Sequence, residues 1–263
     1  VVHSQCRTPV GTTNMRRASY DSSAHYQFGS GLMTPVVKAL IVANVAVFLV
    51  TQLIPPVSRL MLSFLGLTPQ LVGTRFMLWQ PFTYMFLHGS VGHILFNMLI
   101  LWMFGVQLER LWGSKFFLRY YLVAGCGAAI VTLIASLLPF SFSAATYTTV
   151  TIGASGAIYG LLMAFAIYYP NAPILMFFLF PVPAKYFVMI LGAIAFISAP
   201  RYGDGIGHIT HLGGLLAGYL YLSRLHGLSA RRFGFGRFGI MADIKYRYVK
   251  WKMSRLRKKF NVY

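Results

Sequence analysis

One serine and one histidine, set in separate apolar segments of the chain, have the side chains that nucleophilic catalysis requires. Ser155 lies in the run Gly-Ala-Ser-Gly of residues 153–156, and His211 lies in a later apolar segment. A strongly polar group inside an apolar segment is costly in lipid, so it is expected to face a partner or a wet cavity. A histidine that accepts the proton of a serine hydroxyl turns that hydroxyl into a nucleophile. The pattern predicts that Ser155 is the nucleophile and His211 is its general base.

Three nearby groups could stabilise the negative charge that such a reaction develops on oxygen. His93 and Asn97 are four residues apart, so a helix places them on one face. The uncharged, Ser- and Thr-rich segment 140–152 is predicted to be irregular, which puts Ser155 at the start of a helix. The first N–H groups of a helix have no partner within it and lie at its positive dipole end. We therefore expect the Ser155 N–H, His93 and Asn97 to donate to the oxyanion.

No third catalytic group is evident, and the arrangement is predicted to be a Ser–His dyad. Tyr159 follows Ser155 by one helical turn and is expected to pack on the imidazole and orient it. No carboxylate lies inside an apolar segment. The four acidic residues are Asp21 in the N-terminal tail, Glu109 at the end of a segment, Asp204 in a Gly-rich loop and Asp243 in the C-terminal tail.

Glycines flank both predicted catalytic residues. Gly214 and Gly218 follow His211 by three and seven residues, which places them on the same side of a helix. Small residues at such positions let two membrane helices approach closely. The spacing therefore predicts that the Ser155 and His211 side chains meet. The glycines around Ser155 are Gly153, Gly156 and Gly160.

The composition indicates an integral membrane protein. Of the 263 residues, 57% are apolar and only 10% are charged, and the net charge is +19. An ordinary soluble domain is about a quarter charged, so this composition excludes an acidic disordered chain and argues strongly against a soluble globular enzyme. The Lys and Arg residues are segregated from the apolar segments, which favours basic cytoplasmic ends over nucleic-acid binding. Cys6 and Cys126 are too few for a disulfide framework.

Six apolar segments are predicted to cross the membrane, each near the roughly 20 residues that a spanning helix needs. The fifth is short and could be extended through residues 174–180, across a pair of prolines, as a kinked helix or a shallow loop. The core is predicted to cover residues 35–225, with tails at 1–34 and 226–263. The six segments are 36–54, 92–108, 116–138, 153–169, 186–199 and 206–225.

The distribution of basic residues predicts the orientation. With six spans, every Lys and Arg falls on the side of the termini except Arg59, Arg75 and Arg201. Loops rich in Lys and Arg stay in the cytoplasm, so both termini are predicted to be cytoplasmic in a plasma or inner membrane. The basic segment 231–263 is either an interfacial helix on anionic lipid or a solvated signal for topology.

The motifs, taken in order along the chain, resemble those of the rhomboid family of intramembrane serine proteases. The resemblance covers about residues 35–225 and leaves out both tails. A single motif such as Gly-x-Ser-Gly occurs by chance, whereas all of them in order are specific. The motif residues are Trp79-Gln80, His88 with His93 and Asn97, Glu109-Arg110 with Gly113, the Gly153–Gly156 run, and His211 with Gly214 and Gly218.

The resemblance implies an all-α membrane protein, a six-helix bundle with an amphipathic first outer loop half-embedded in the membrane. It also implies cleavage of single-span proteins in or near their transmembrane segment, without a cofactor and with water entering from the outer side. In the family pattern the nucleophile and base fall on Ser155 and His211, and the family tyrosine falls on Tyr159. His88 is expected to tie the first loop to the second span. His208 could compete as base, and the glycine spacing favours His211.

Two alternative functions remain open from the sequence. His88, His93, His208 and His211 could form a metal site of a transporter or a membrane metalloenzyme. Against a metal, the chain lacks His-Glu-x-x-His and has no carboxylate in a span to balance a divalent ion. A rhomboid-like protein that binds membrane clients without cutting them would share the fold, although retention of both Ser155 and His211 argues against it. The sequence does not indicate the oligomeric state.

Overall fold

The computed structural model of the chain describes residues 32–140, 143–176, 179–199 and 205–226. Within these ranges the chain is mostly helical, with a single two-stranded sheet. The predicted tails, including the basic segment 231–263, lie outside the described residues apart from a few positions. The helices and strands are α1 Pro35–Leu53, α2 Pro55–Leu65, α3 Pro69–Arg75, α4 Gln80–Thr83, a 3-10 turn Tyr84–Phe86, α5 Val91–Trp112, α6 Ser114–Leu137, α7 Ser143–Thr148, α8 Ser155–Tyr168, β1 Pro173–Met176, β2 Phe180–Pro183, α9 Ala184–Ser198 and α10 Gly205–His226.

Three of the described helices are long and apolar enough to cross a membrane. They are α1, α5 and α6, with 19, 22 and 24 residues. Helices α8 and α9 are apolar but shorter. Each of the six predicted apolar segments coincides with one helix of the structure. In chain order these helices are α1, α5, α6, α8, α9 and α10.

The expectation of an all-α chain is wrong between α8 and α9. Strands β1 and β2 pair in an antiparallel hairpin, in which Ile174 lies opposite Val182 and Leu175 opposite Pro181. The segment 174–180 is therefore neither a kinked helical extension nor a loop alone. Proline disfavours the helical conformation in the residue before it, and Pro181 and Pro183 act in this way on β2. A two-stranded sheet has only edges, where the missing N–H of proline is tolerated.

The segment before α8 also differs from the prediction, because residues 143–148 of the predicted irregular region form helix α7. The backbone between this helix and α8 is irregular. There Thr151 pairs with Leu67 through backbone hydrogen bonds of 2.8 and 3.0 Å in both directions. The turn before α8 is thus held by the loop that follows α2.

Helix α8 packs against α5, α6 and α10, and the α8–α10 contact is made by glycines. A Cβ on Gly214 would collide with the backbone carbonyl oxygen of Gly156. One turn further on, a Cβ on Gly218 would lie 3.0 Å from Gly160 Cα. The two helices therefore touch along their backbones, as the glycine spacing predicts.

Helix α1 is tied to the far end of α5 by Glu109. The backbone N–H groups of Val36 and Val37 donate to its two carboxylate oxygens at 3.0 and 2.9 Å. The hydroxyl of Ser114 donates to Oε1 at 2.7 Å. These N–H groups belong to the first turn of α1 and have no partner within the helix, so Glu109 acts as their cap.

Candidate active site

Ser155 is the first residue of α8, and the glycine two residues before it shapes the turn. Gly153 has φ +120°, a conformation that side chains with a Cβ rarely adopt. A Cβ at this position would also lie 2.7 Å from His93 Nε2. The Gly153 N–H donates to the carbonyl of Tyr84 at 3.0 Å. Glycine is therefore required here both by the backbone and by the approach of His93.

The structure brings Ser155 and His211 together. Ser155 Oγ lies 2.9 Å from His211 Nε2, across 56 residues of sequence. The ring of Tyr159 stacks on the His211 imidazole, with 4.1 Å between centroids and 5° between planes. Ser155 and His211 are both partly exposed. This distance and this orientation are those needed for transfer of the hydroxyl proton to the imidazole.

The other nitrogen of the His211 imidazole has no carboxylate beside it among the described residues. His211 Nδ1 is buried and lacks a hydrogen-bond partner among the described residues. Glu109, the one carboxylate in the described ranges, binds the start of α1 instead. Asp21, Asp204 and Asp243 lie outside the described residues. His208 meets His211 edge-to-face, with 5.8 Å between ring centroids, while His211 is the residue in contact with Ser155.

The predicted oxyanion donors occupy different positions relative to Ser155. As the first residue of α8, Ser155 has a backbone N–H without a partner inside the helix. His93 Nε2 faces the turn at Gly153. Asn97 instead donates its side-chain N–H to the carbonyl of His93 in its own helix, at 2.7 Å. An amide has a second N–H, so Asn97 keeps one donor for another acceptor.

His88 lies behind the site, in the short connection before α5. Its side chain is 3% exposed, and its ring meets that of His93 edge-on with 5.0 Å between centroids. Burial lowers the pKa of His88, so the ring is neutral at physiological pH. The ring packs on His93, and its role in tying the first loop to the second span stays a prediction.

Tyr84 is a site residue that the sequence analysis missed. Its carbonyl accepts the N–H of Gly153, and its hydroxyl donates to the carbonyl of Gly125 in α6 at 2.8 Å. A Cβ on Gly156 would lie 2.6 Å from the Tyr84 hydroxyl oxygen. Tyr84 lies in an aromatic-rich loop, and nothing in its spacing separates it from its neighbours.

The four histidines do not form a metal-binding group in the structure. No cluster of three or more His, Cys, Asp or Glu side chains suited to a metal ion occurs among the described residues. The rings lie in two edge-to-face pairs, His88 with His93 and His208 with His211. One member of the second pair contacts a serine hydroxyl.

Comparison with known proteins identifies the family. Residues 75–227 match the family model of the Rhomboid domain, a range that contains every residue of the site. The chain belongs to the rhomboid family. With three helices able to cross a membrane, this rhomboid protein is an integral membrane protein.

Similarity to individual rhomboid proteins covers part of each chain. Rhomboid protein 1, mitochondrial, of Saccharomyces cerevisiae is 33% identical over 189 residues, which are 71% of this chain and 52% of the yeast protein. Rhomboid protease GluP of Bacillus subtilis is 33% identical over 156 residues, 59% of this chain and 28% of GluP. Rhomboid protease AarA of Providencia stuartii is 29% identical over 153 residues, 54% of each chain. The chain thus spans about half or less of the length of these relatives.

Proposed function

We propose that this rhomboid protein is an intramembrane serine protease that cleaves single-span membrane proteins in or near their transmembrane segment. The observation that carries the proposal is the 2.9 Å contact between Ser155 Oγ and His211 Nε2. Two of the bacterial relatives are named rhomboid proteases, which supports the same activity. No cofactor is needed for this chemistry.

The proposed reaction relays two protons through one imidazole, one in acylation and one in deacylation. Ser155 Oγ attacks the carbonyl carbon of the scissile peptide bond, and its proton passes to His211 Nε2. The tetrahedral intermediate then collapses, and the leaving amine takes that proton from His211. Water then attacks the resulting ester, His211 takes its proton and returns it to Ser155 Oγ, and the new carboxyl end is released. Tyr159 keeps the imidazole plane in place during both transfers, which supports a dyad without a carboxylate.

The oxyanion of the intermediate is proposed to accept hydrogen bonds from the Ser155 backbone N–H and from His93. Both groups border the same turn, because His93 Nε2 faces Gly153 and Ser155 begins α8. Asn97 contributes through its second amide N–H. Removal of one such donor typically lowers kcat about 100- to 1000-fold.

The length of α8 supports a site below the membrane surface. Its 14 residues extend about 21 Å at a helical rise of about 1.5 Å, less than a hydrocarbon core of about 30 Å. If Tyr168, at one end of α8, lies near one membrane surface, then Ser155, at the other end, lies below the opposite surface, within the hydrocarbon core.

We propose that all six predicted helices of the core 35–225 span the membrane. The first outer loop, with exposed Phe64, Leu78 and Trp79, would then lie half-embedded in it.

The proposed orientation follows the basic residues. Both termini lie on the side rich in Lys and Arg, which in a plasma or inner membrane is the cytoplasmic side. The basic C-terminal segment would contact anionic lipid there.

Cleavage of a transmembrane reporter in vesicles by purified full-length protein tests the proposal. Ser155→Ala is expected to abolish cleavage while leaving the melting temperature unchanged. Ser223→Ala is the matched control, because that hydroxyl bonds only a carbonyl of its own helix in the structure, Leu220 O at 2.9 Å. Cleavage by Ser155→Ala at the wild-type rate would reject the serine protease. Loss of wild-type activity with a chelator would favour the metal-dependent alternative. A wild-type protein that binds the reporter without cutting it would favour the client-binding alternative.

A further inference from the structure

Two threonine hydroxyls join α6 and α10 directly behind the proposed dyad. The Oγ1 atoms of Thr132 and Thr210 are 2.9 Å apart. Thr132 and Thr210 are 0% and 1% exposed. The Thr132 hydroxyl also lies 3.0 Å from the carbonyl oxygen of Ala128, one turn earlier in α6. Polar side chains that bond across helices are a recognised means of holding membrane helices together.

Around this hydrogen bond α6 and α10 meet through small residues, and further along the helices Tyr221 of α10 packs on Phe116 and Tyr120 of α6. A Cβ on Gly213 of α10 would lie 2.8 Å from Val131 Cβ and 3.0 Å from Ala128 Cα in α6. A Cβ on Gly127 of α6 would collide with Ala217 of α10. Small residues allow this close approach, but their contacts have no preferred direction. The threonine pair is a directional contact, so it fixes the rotation and height of α10 against α6.

Thr210 also touches the helix that carries the nucleophile. Its methyl carbon Cγ2 lies 3.3 Å from the position of a Cβ on Gly156, the residue after Ser155. Thr210 immediately precedes His211 in the chain. One side chain thus bonds α6 through its hydroxyl and packs on the start of α8 through its methyl group.

We propose that Thr132 and Thr210 are positioning residues, whose hydrogen bond sets the rotation of α10 that places His211 against Ser155. The inference rests on the proposed protease function. No carboxylate holds His211 Nδ1 in the described structure, so the imidazole depends on Tyr159 and on the placement of its own helix. Neither threonine touches the reacting atoms.

The geometry gives the size of the effect. Side-chain ends lie about 5–6 Å from a helix axis, so a rotation of about 10° moves them by about 1 Å. A displacement of about 1 Å in a catalytic group can lower the rate about 100-fold. Rotation of α10 would open the Ser155–His211 contact while leaving the substrate-binding surfaces of the other helices in place. The loss should therefore appear in kcat rather than in KM.

The test compares Thr210→Val with Thr210→Ser in reporter cleavage by the full chain in vesicles. Valine keeps the shape but removes the hydroxyl, and Thr132 retains the carbonyl of Ala128 as a partner. Thr210→Val is expected to lower kcat about 10- to 100-fold with little change in KM or melting temperature. Thr210→Ser keeps the hydroxyl and should restore most of kcat. Thr132→Val should match Thr210→Val, and the double variant should be no slower, because each substitution removes the hydrogen bond between the two hydroxyls.

Thr51→Val is the matched control. Thr51 is a buried threonine of α1 whose hydroxyl donates to the carbonyl of Phe48 in its own helix at 2.8 Å. The kcat of Thr51→Val should equal that of the wild type. If Thr210→Val has no thermal transition, the kcat of Thr132→Val decides by the same criterion.

Three results would overturn the inference. Wild-type kcat in Thr210→Val or Thr132→Val would show that the hydroxyl contact does not position His211. An equal loss of kcat in Thr210→Val and Thr210→Ser would assign the effect to packing. A wild-type chain that neither cleaves the reporter nor reacts at Ser155 with a serine-directed fluorophosphonate would remove the proposed function itself. Wild-type cleavage together with an unaffected Thr210→Val would remove the positioning role alone.

Discussion

Replacement of Gly153 by alanine perturbs the oxyanion side of the site, whereas its new Cβ would meet Ser155 Oγ only at an ordinary van der Waals distance of 3.7 Å. An L-residue at φ +120° is strained by about 1–3 kcal/mol. The new Cβ would lie 2.7 Å from His93 Nε2, whereas contacts with carbon are comfortable at about 3.5–4.0 Å. The imidazole must therefore retreat by about 1 Å, beyond the reach of an oxyanion at Ser155.

The expected kcat of Gly153→Ala follows from the displacement of His93 as an oxyanion donor. Loss of one oxyanion donor lowers kcat about 100- to 1000-fold, so Gly153→Ala is expected to lower kcat at least about 100-fold. The assay is reporter cleavage in vesicles with kcat, KM and melting temperature measured on the same preparations. Gly73→Ala is the control, because Gly73 lies in α3 with no atom within 4 Å of an added Cβ.

A double variant separates backbone strain from displacement of the imidazole. If the histidine shift is the cause, Gly153→Ala combined with His93→Ala should be no slower than His93→Ala alone, because both changes remove the same donor. The reasoning is refuted if Gly153→Ala keeps kcat within about threefold of the wild type. Fully multiplicative losses in the double variant would also contradict it.

Three further substitutions test other parts of the site and its support. His211→Ala should abolish reporter cleavage and His208→Ala should be milder, since only His211 contacts Ser155; the reverse order of kcat values would move the base to His208. Tyr159→Phe should keep most of kcat and Tyr159→Leu should lose about 10-fold or more, because the stacked ring orients the imidazole; equal rates would contradict this. Glu109→Gln should lower the stability by about 1–3 kcal/mol, because its carboxylate accepts two backbone N–H groups and a hydroxyl; an unchanged melting temperature would show that this cap is dispensable.

The helical segments and the meeting of α8 with α10 were predictable from residue type and spacing. Long apolar segments can satisfy their backbone in lipid only as helices, and the structure has a helix in each of them. The glycines at 156, 160, 214 and 218 predicted a close α8–α10 contact, and these residues touch in the structure. Hydropathy predicts the helices and the spacing of small residues predicts their contact, because both are properties of a whole helix face rather than of a single side chain.

The local departures depend on features that hydropathy does not record. The apolar segment that forms β1 and β2 cannot be told from a buried helix by its composition, and the prolines of β2 are also compatible with a kinked helix or a shallow loop. Helix α7 lies in a segment rich in Ser and Thr, residues that favour turns. In both places the tertiary contacts decided between conformations of similar local propensity.

The partners of individual polar groups required coordinates. Nothing in the spacing of Asn97 predicts that its amide bonds the carbonyl of His93. The threonine pair joins positions 132 and 210, and a single sequence does not give the register of α6 against α10. Tyr84 was missed for the same reason, since its role arises from the approach of its loop to Gly125 and Gly153.

The central claim is that His211 activates the hydroxyl of Ser155. Its most direct test is the rate at which a serine-directed fluorophosphonate modifies the folded, full-length protein, with the site of the adduct located by mass spectrometry. The account predicts an adduct on Ser155 in the wild type and a rate at least about 100-fold lower in His211→Ala at an unchanged melting temperature. An adduct on another residue, or an equal rate of modification in the two proteins, would contradict it.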